Sequence, residues 1–300
     1  MLKKKRTRGD RAILSPMERS RPGYAAAYWI LFALLILLTS TTLYPVYWMF
    51  SGGIKSSQEL IQTPPTLIPQ EPHVENYPEA WNKLNYSLYF FNTFMLAAGA
   101  LLLQLAVSAT AAFSLSKLKP RGYKILLFLF LSTLMVPPSA YLIPQYLTVV
   151  RLPLLGFSII DTWWAVWLPG AISAFNIFIM KSFFDEIPRD LTDASHIDGA
   201  SSFQVFIRLI LPLSKAVLAV VAIFTVIGQW KDFFWPYLVL TNTKIQPIMV
   251  AIFRFTNQSM PEPMNIVVAG LAIASAPMII LFLLFQRYIL QGITLTGLKG

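Results

Sequence analysis

Six stretches of this chain are apolar for about twenty residues or more: Tyr24 to Phe50, Tyr89 to Leu115, Tyr123 to Thr148, Ile159 to Met180, Leu211 to Trp230 and Ile266 to Tyr288. A hydrocarbon core about 30 Å thick takes roughly 20 helical residues to cross. Inside lipid every backbone amide must find its partner within the chain, so runs of this length are helices; a closed barrel would alternate instead. The expected fold is therefore an all-α membrane protein with six transmembrane helices. Composition agrees, with 56% hydrophobic and only 13% charged residues, against roughly a quarter charged in soluble domains. Pro137, Pro138 and Pro144 in "MVPPSAYLIPQYL" must kink or interrupt the third span. Such a break sits against protein or water, and both a helix bent to fit its neighbours and one lining a path remain open.

Positive charge orients the chain. With the N-terminus inside, cytoplasmic segments hold 18 of the 24 Lys and Arg: 8 in residues 1–23, then Lys117, Lys119, Arg121 and Lys124, then Lys181, Arg189, Arg208 and Lys215, then Arg287 and Lys299. Outer segments hold the other 6. This bias predicts both termini in the cytoplasm. It also accounts for the net charge of +10 through topology and contact with anionic membrane lipid, with no nucleic acid as partner. Residues 1–23 read as a basic cytoplasmic tail, 24–290 as one membrane domain, and 291–300 as a cytoplasmic C-terminal tail. The first apolar run is too long for a signal peptide and lacks a clear cleavage site, so it stays as the first helix. The segment between the first two spans carries five prolines from Pro64 to Pro78; it reads as the largest outer loop, without a continuous helix.

Catalytic chemistry is thinly supplied. His73 and His196 are the only histidines, there is no cysteine, and no His-Glu-x-x-His cluster exists for zinc, so the chain reads as neither a metal site nor an enzyme. The tail "GITLTGLKG" places Gly292 and Gly297 at two phosphate-loop spacings, but Leu298 stands where lysine is needed; no ATP site is expected here. Ion-coupled carriers place charge at mid-membrane depth. Here the span centres hold neutral groups, among them Gln104, Ser108, Thr110, Ser173, Asn176 and Thr225. Gln104, Asn176 and Trp230 are the candidates for a path suited to an uncharged polyol, with interhelical hydrogen bonding as the competing role.

One polar segment interrupts this pattern, "DLTDASHIDGASSFQVFIRLILPLSKA", Asp190 to Ala216. Pro188 suits a first helical turn, and Asp190 and Asp193 suit the positive end of a helix dipole. Leu191, Ala194 and Ile197 share one modest apolar face, and Gly199 allows the chain to turn before a second helical stretch reaches Leu211 and Pro212. These signals predict a protruding knob on the cytoplasmic face between the fourth and fifth spans.

The spacing Asp193-Ala194-Ser195, three residues, Gly199, nine residues, Leu209, one residue, Leu211-Pro212 resembles the signature cytoplasmic loop of bacterial ABC-importer permeases. It departs at Asp193 for Glu, Ser195 for Ala and Leu209 for Ile. "NTFMLAAGALLLQLAVSATAAFSLSKL", "MVPPSAYLIPQYL", "IPRDLTDASHIDGASSFQVFIRLILPL", "GQWKDFFWPYLVL" and "QRYILQGITLTGLKG" extend the resemblance to the second permease subunit of maltose-type carbohydrate importers, with Lys231 in place of a common asparagine. The resemblance implies residence in a bacterial or archaeal cell membrane. It also implies a partner-dependent machine: a second permease subunit, two cytoplasmic ABC ATPase subunits that bind the ATP and Mg, an external solute-binding protein, and a sugar or oligosaccharide as substrate. No cofactor is expected in this chain. Asp193, Ala194, Ser195, Ile197, Asp198, Gly199, Leu211 and Pro212 would form the coupling helix and its return. Separately, the predicted cytoplasmic tail gives the expectation that Lys299 also reaches the ATPases. Another organic solute such as glycerol phosphate, or an ion-coupled secondary carrier, stays as the alternative.

Overall fold

The computed structural model describes residues 22–257 and 262–297, with side-chain surroundings in the last helix only as far as Gln286. The basic head and Lys299 lie outside the described residues. Among those described there is no strand. Among the described residues fourteen helices follow in order, with a short 3-10 turn at Thr243–Ile245 besides: α1 (Pro22–Gly52), α2 (Ser57–Ile61), α3 (Asn76–Lys83), α4 (Tyr86–Leu118, its last turn π-helical), α5 (Tyr123–Thr133), α6 (Pro138–Val150), α7 (Trp164–Gly170), α8 (Ala174–Glu186), α9 (Arg189–Ile197), α10 (Ser202–Leu213), α11 (Lys215–Lys231), α12 (Phe234–Val239), α13 (Ile248–Thr256) and α14 (Met264–Gly297).

Three helices are unbroken over a membrane-spanning length: Ala26–Gly52, Tyr86–Leu118 and Met264–Gln286. The other three expected spans are not straight rods. They are bent pairs, α5 with α6 at 103°, α7 with α8 at 47°, and α10 with α11 at 79°. Proline chemistry explains two of the breaks. Pro137 is extended (ψ 140°) and precedes Pro138, which opens α6, because the residue before a proline is driven out of the helical region. Pro212 lies in the last turn before the third bend. The fourth expected span, Ile159–Met180, is corrected at both ends: helix begins at Trp164, yields at residues 171–173 and continues to Glu186. Pro169 is tolerated inside α7 because the carbonyl it leaves without a helical donor, that of Ala165, accepts the indole Nε1–H of Trp235 at 2.9 Å.

Helix α4 is the axis of the bundle, packed against α7, α8, α11 and α13, while α14 lies against α1, α3, α11 and α13. One apolar core gathers Ala109, Phe113, Met180, Phe184, Phe206 and Val221 toward the C-terminal end of α4. A second gathers Leu96, Val149, Val166, Trp235 and Val239 toward its N-terminal part. Where α4 meets α7, Gly99 leaves room for the Trp167 ring, which donates Nε1–H to the Leu96 carbonyl at 3.0 Å.

The second end of the bundle is tied across its loops by Asp161, which adopts φ +57°, a region Asp tolerates better than most residues. Its carboxylate accepts from the Thr241 hydroxyl at 2.6 Å and from the backbone N–H groups of Thr241 and Asn242 at 2.5 and 2.8 Å. Burial pushes the acid up, but these three donors outweigh it and hold the carboxyl below its ordinary value of 3.8. A folded pKa lower than the unfolded one means the latch contributes fully above about pH 4 and is lost as pH falls through the folded value. Asp161→Asn is therefore expected to cost about 1 kcal/mol at neutral pH and to remove this contribution to acid sensitivity. Thermal inactivation of detergent-purified protein at pH 7 and pH 3.5 checks it; identical acid dependence in both proteins would contradict the latch.

Candidate functional site

The polar interruption folds as a helix-turn-helix knuckle. Pro188, extended at ψ 137°, precedes α9, and Asp190 sits in its first turn. The helix stops at Asp198, where Gly199 takes φ +84°. Gly199 N–H donates to the His196 carbonyl at 3.0 Å and Ala200 N–H to the Ser195 carbonyl at 2.9 Å, the paired bonds of a Schellman C-cap. Ser201 then starts α10 with a capping box: its hydroxyl accepts from Gln204 N–H at 3.3 Å, and its own N–H donates to Gln204 Oε1 at 2.8 Å. The motif glycine is thus a handedness requirement. Its Cβ position is open, with nothing within 4 Å, so substitution is limited by backbone strain rather than by space.

A variant pair separates those causes. Gly199→Val is expected to strain the turn by about 1–2 kcal/mol, whereas Gly199→Asn, which tolerates left-handed geometry, should keep most of the cap. Protease protection of the 189–201 segment, together with ATP-driven uptake by the assembled complex, reads the outcome. Equal behaviour of both variants would reject the C-cap explanation.

The apolar stripe expected on α9 is exposed, as a protruding knob requires. Leu191 is exposed and Ile197 is 86% exposed, while Thr192 is the buried residue of α9 and donates its hydroxyl to the Arg189 carbonyl. Asp193, Ala194 and Asp198 are exposed, Ser195 is half-buried and bonds back to the Leu191 carbonyl, and Phe203 on α10 is 71% exposed. The tip therefore shows apolar side chains to the outside.

Its base is fastened inward. Lys117 Nζ donates to the Ile187 carbonyl at 2.7 Å, Ser116 donates to Asp185 at 2.7 Å, and Lys181 pairs with Asp185 at 2.5 Å. Phe206 lies 5.1 Å from Phe113 in the apolar core that also holds Ile187, Val205 and Ile210. A π-helical turn at Phe206–Ile210 leads into Leu211 and Pro212, and the chain bends at Ser214, which is fully buried. Leu211 and Pro212 thus stand where the knuckle's return helix turns into α11.

Of the three residues proposed from sequence for a path, two bond to other helices and the third lies at a helix start. Gln104 donates to the Gly170 carbonyl at 3.1 Å and accepts from Thr225, joining α4, α7 and α11. Asn176 is buried near the start of α8, where Ser173 caps its backbone N–H. Trp230 donates to the Ala274 carbonyl at 3.3 Å, linking α11 to α14. Gln104 and Trp230 thus make interhelical bonds. Sequence reading missed Asn92, whose amide donates to the carbonyls of Lys244 and Gln246, both at 2.9 Å; a buried asparagine in an apolar run was its only visible signal. Among the described residues no group of three His, Cys, Asp or Glu converges on a cation position. Gly292 and Gly297 lie in α14, whose backbone is helical where a phosphate loop would be open.

Residues 104–295 match the family described as binding-protein-dependent transport system inner membrane component. The chain is similar to the probable ABC transporter permease protein YurM of Bacillus subtilis, at 32% identity across 95% of this chain and 92% of the relative. It is also similar to the arabinooligosaccharides transport system permease protein AraQ of the same organism, at 28% identity across 95% of this chain and 100% of the relative. Its fold matches a chain in a crystal structure of a bacterial ABC transporter involved in import of the acidic polysaccharide alginate, with TM-score 0.79, 23% identity, and 92% and 99% of the two chains covered. On the family match and the identity across nearly its whole length, the chain belongs to the inner membrane components of binding-protein-dependent transport systems.

Proposed function

We propose that the chain is one permease subunit of an ATP-driven importer for a sugar or oligosaccharide. It forms the translocation path with a second permease, receives solute from an external binding protein, and is driven by two ABC ATPase subunits that hold ATP and Mg. On this reading the chain crosses the membrane six times, with both termini and the α9 knuckle in the cytoplasm. The observation that carries this reading is mechanical: α9 presents Leu191 and Ile197 outward while its base is bonded into α4 and α8 and continues through α10 into α11. A knuckle seated in an ATPase moves those helices when the ATPase pair closes. ATP then does work only if closure and substrate favour different arrangements of the bundle.

The length of α4 supports the spanning geometry. From Asn92, which binds the 244–246 loop, to Ser116, which binds Asp185, the helix rises about 36 Å at 1.5 Å per residue, slightly more than a hydrocarbon core. AraQ, a permease for arabinooligosaccharides, supports the sugar assignment. The test is reconstitution of both permeases and ATPases in vesicles with the binding protein. Labelled oligosaccharide should accumulate only with ATP and the binding protein present. Uptake by this chain alone under an ion gradient, without ATPase, would replace this reading with a secondary carrier.

A further inference from the structure

Helix α13 buries Ile248, Val250, Ala251 and Ile252 against the bundle. With neighbouring elements it also walls a cleft of about 510 Å³ whose lining includes Tyr89, Tyr237, Thr243, Phe253, Arg254 and Asn257. The aromatic rings are mutually braced, Phe253 to Tyr237 at 5.2 Å and to Phe233 at 4.5 Å, and Tyr89 to Phe255 at 6.2 Å. Arg254 is the only charged group in this lining. Its Nε is buried without a hydrogen-bond partner, and among the described residues no carboxylate pairs with it: Glu262 turns to Lys83 at 3.6 Å instead. The residues that follow, Gln258 to Pro261, carry no acid in their sequence.

A guanidinium keeps its charge at any physiological pH, and a buried donor left unpaired is costly. Among the described residues Arg254 Nε thus has no acceptor, and one from outside the chain would complete the arrangement. Aromatic faces suit the C–H faces of a sugar ring. Thr243 offers a hydroxyl, and Asn257, whose amide N–H is engaged by the Phe253 carbonyl at 2.8 Å, keeps its oxygen for a hydroxyl. A neutral sugar has use for those groups but none for an unpaired cation, which calls for a planar or tetrahedral anion. We propose that the Arg254 cleft binds the anionic group of a charged saccharide, a sugar acid or a sugar phosphate. This deepens the importer reading and rests on it, since there the cleft lies at the outer end of the bundle.

The test uses the complex of this chain with its partner permease and ATPases in phosphatidylcholine nanodiscs, without binding protein. Equilibrium binding is measured for galacturonate and glucuronate, for galactose 6-phosphate and glucose 6-phosphate, and for galactose and glucose. At least one acid or phosphate should bind about tenfold more tightly than its neutral parent, and which of the two anion types does so identifies the group. Arg254→Gln should weaken that ligand roughly 10- to 100-fold and its parent less than about twofold, with Arg254→Lys between them. No preference for any anion, or equal weakening of anion and parent, overturns the proposal. So does loss of the partner permease from the Arg254→Gln complex with ligand preference unchanged, which would assign the counterion to a protein carboxylate. If anions are not preferred while wild-type vesicles still accumulate oligosaccharide with ATP, the cleft assignment alone fails; if ATP drives no saccharide uptake, the importer reading itself fails.

Discussion

With Ile197→Asp, the transporter is expected to insert and fold normally yet bind its ATPase subunits at least about 100-fold more weakly. Ile197 is 86% exposed in this chain, so the change removes no core contact, and surface substitutions of that kind stay within about 0.5 kcal/mol. At a docked interface the same side chain is worth about 1.5–3 kcal/mol of apolar burial, and a buried unpaired carboxylate adds a further penalty. Together these exceed the roughly 2.7 kcal/mol that a 100-fold loss requires. Phe203→Asp, at 71% exposure on the return helix, should act in the same direction. Co-purification of the ATPases and ATP-driven uptake measure the loss, while the thermal inactivation midpoint reports folding. Wild-type recovery of ATPase with Ile197→Asp would remove the apolar tip from the coupling contact.

The contrast between α9 and the helices around it shows how far sequence carried the argument. The apolar runs and the proline break at Pro137-Pro138 were legible because lipid imposes length and proline imposes backbone geometry, independent of partners. The turn at Gly199 was legible for the same reason: a left-handed residue has few candidates. The exposure of Leu191, Ala194 and Ile197 agrees with the protruding knob that the segment predicts. Its fastening through Lys117, Ser116 and Asp185 was not legible, because those bonds join residues about 70 positions apart. The bend at residues 171–173 also escaped a pattern that sees composition but not the Trp235 indole that allows Pro169 to remain in α7.

The polar residues divide along a similar line. Gln104 was visible as a polar side chain in an apolar run, but nothing local distinguishes a solute contact from a bond to Gly170 and Thr225, which are distant in sequence. Arg254 was visible only as one of six outer Lys and Arg. Its significance lies in the rings around it and in the lack of a pairing carboxylate among the described residues, and both are properties of packing. The membrane makes this distinction matter, because a polar group at depth must be paired by the chain, by water or by what passes through.

Asn92→Leu is expected to destabilise the 240–248 segment by about 2–5 kcal/mol. Leucine keeps the branched side-chain skeleton of asparagine, though bulkier, but cannot donate to the carbonyls of Lys244 and Gln246, and each polar group left unpaired away from water costs about 1–3 kcal/mol. The adjacent Thr93 hydroxyl accepts from Ile248 N–H at 2.9 Å, so Thr93→Val should cost about 1–3 kcal/mol by the same reasoning. The double variant should lose less than the sum, because both side chains hold one segment and its release is a single event. That segment carries Thr243 and leads directly into α13 with Arg254, so anion binding should weaken although Asn92 does not line the cleft. ATPase recovery should change little, since the knuckle is fastened about 36 Å away along α4. Thermal inactivation midpoints and limited proteolysis between Leu240 and Ile248 test the order of these losses. An unchanged midpoint and protection pattern in Asn92→Leu would mean that the loop is held by Asp161 and Gln246 without help from α4. Equal loss of anion binding and ATPase recovery would mean that the two ends of the bundle do not fold as separable units.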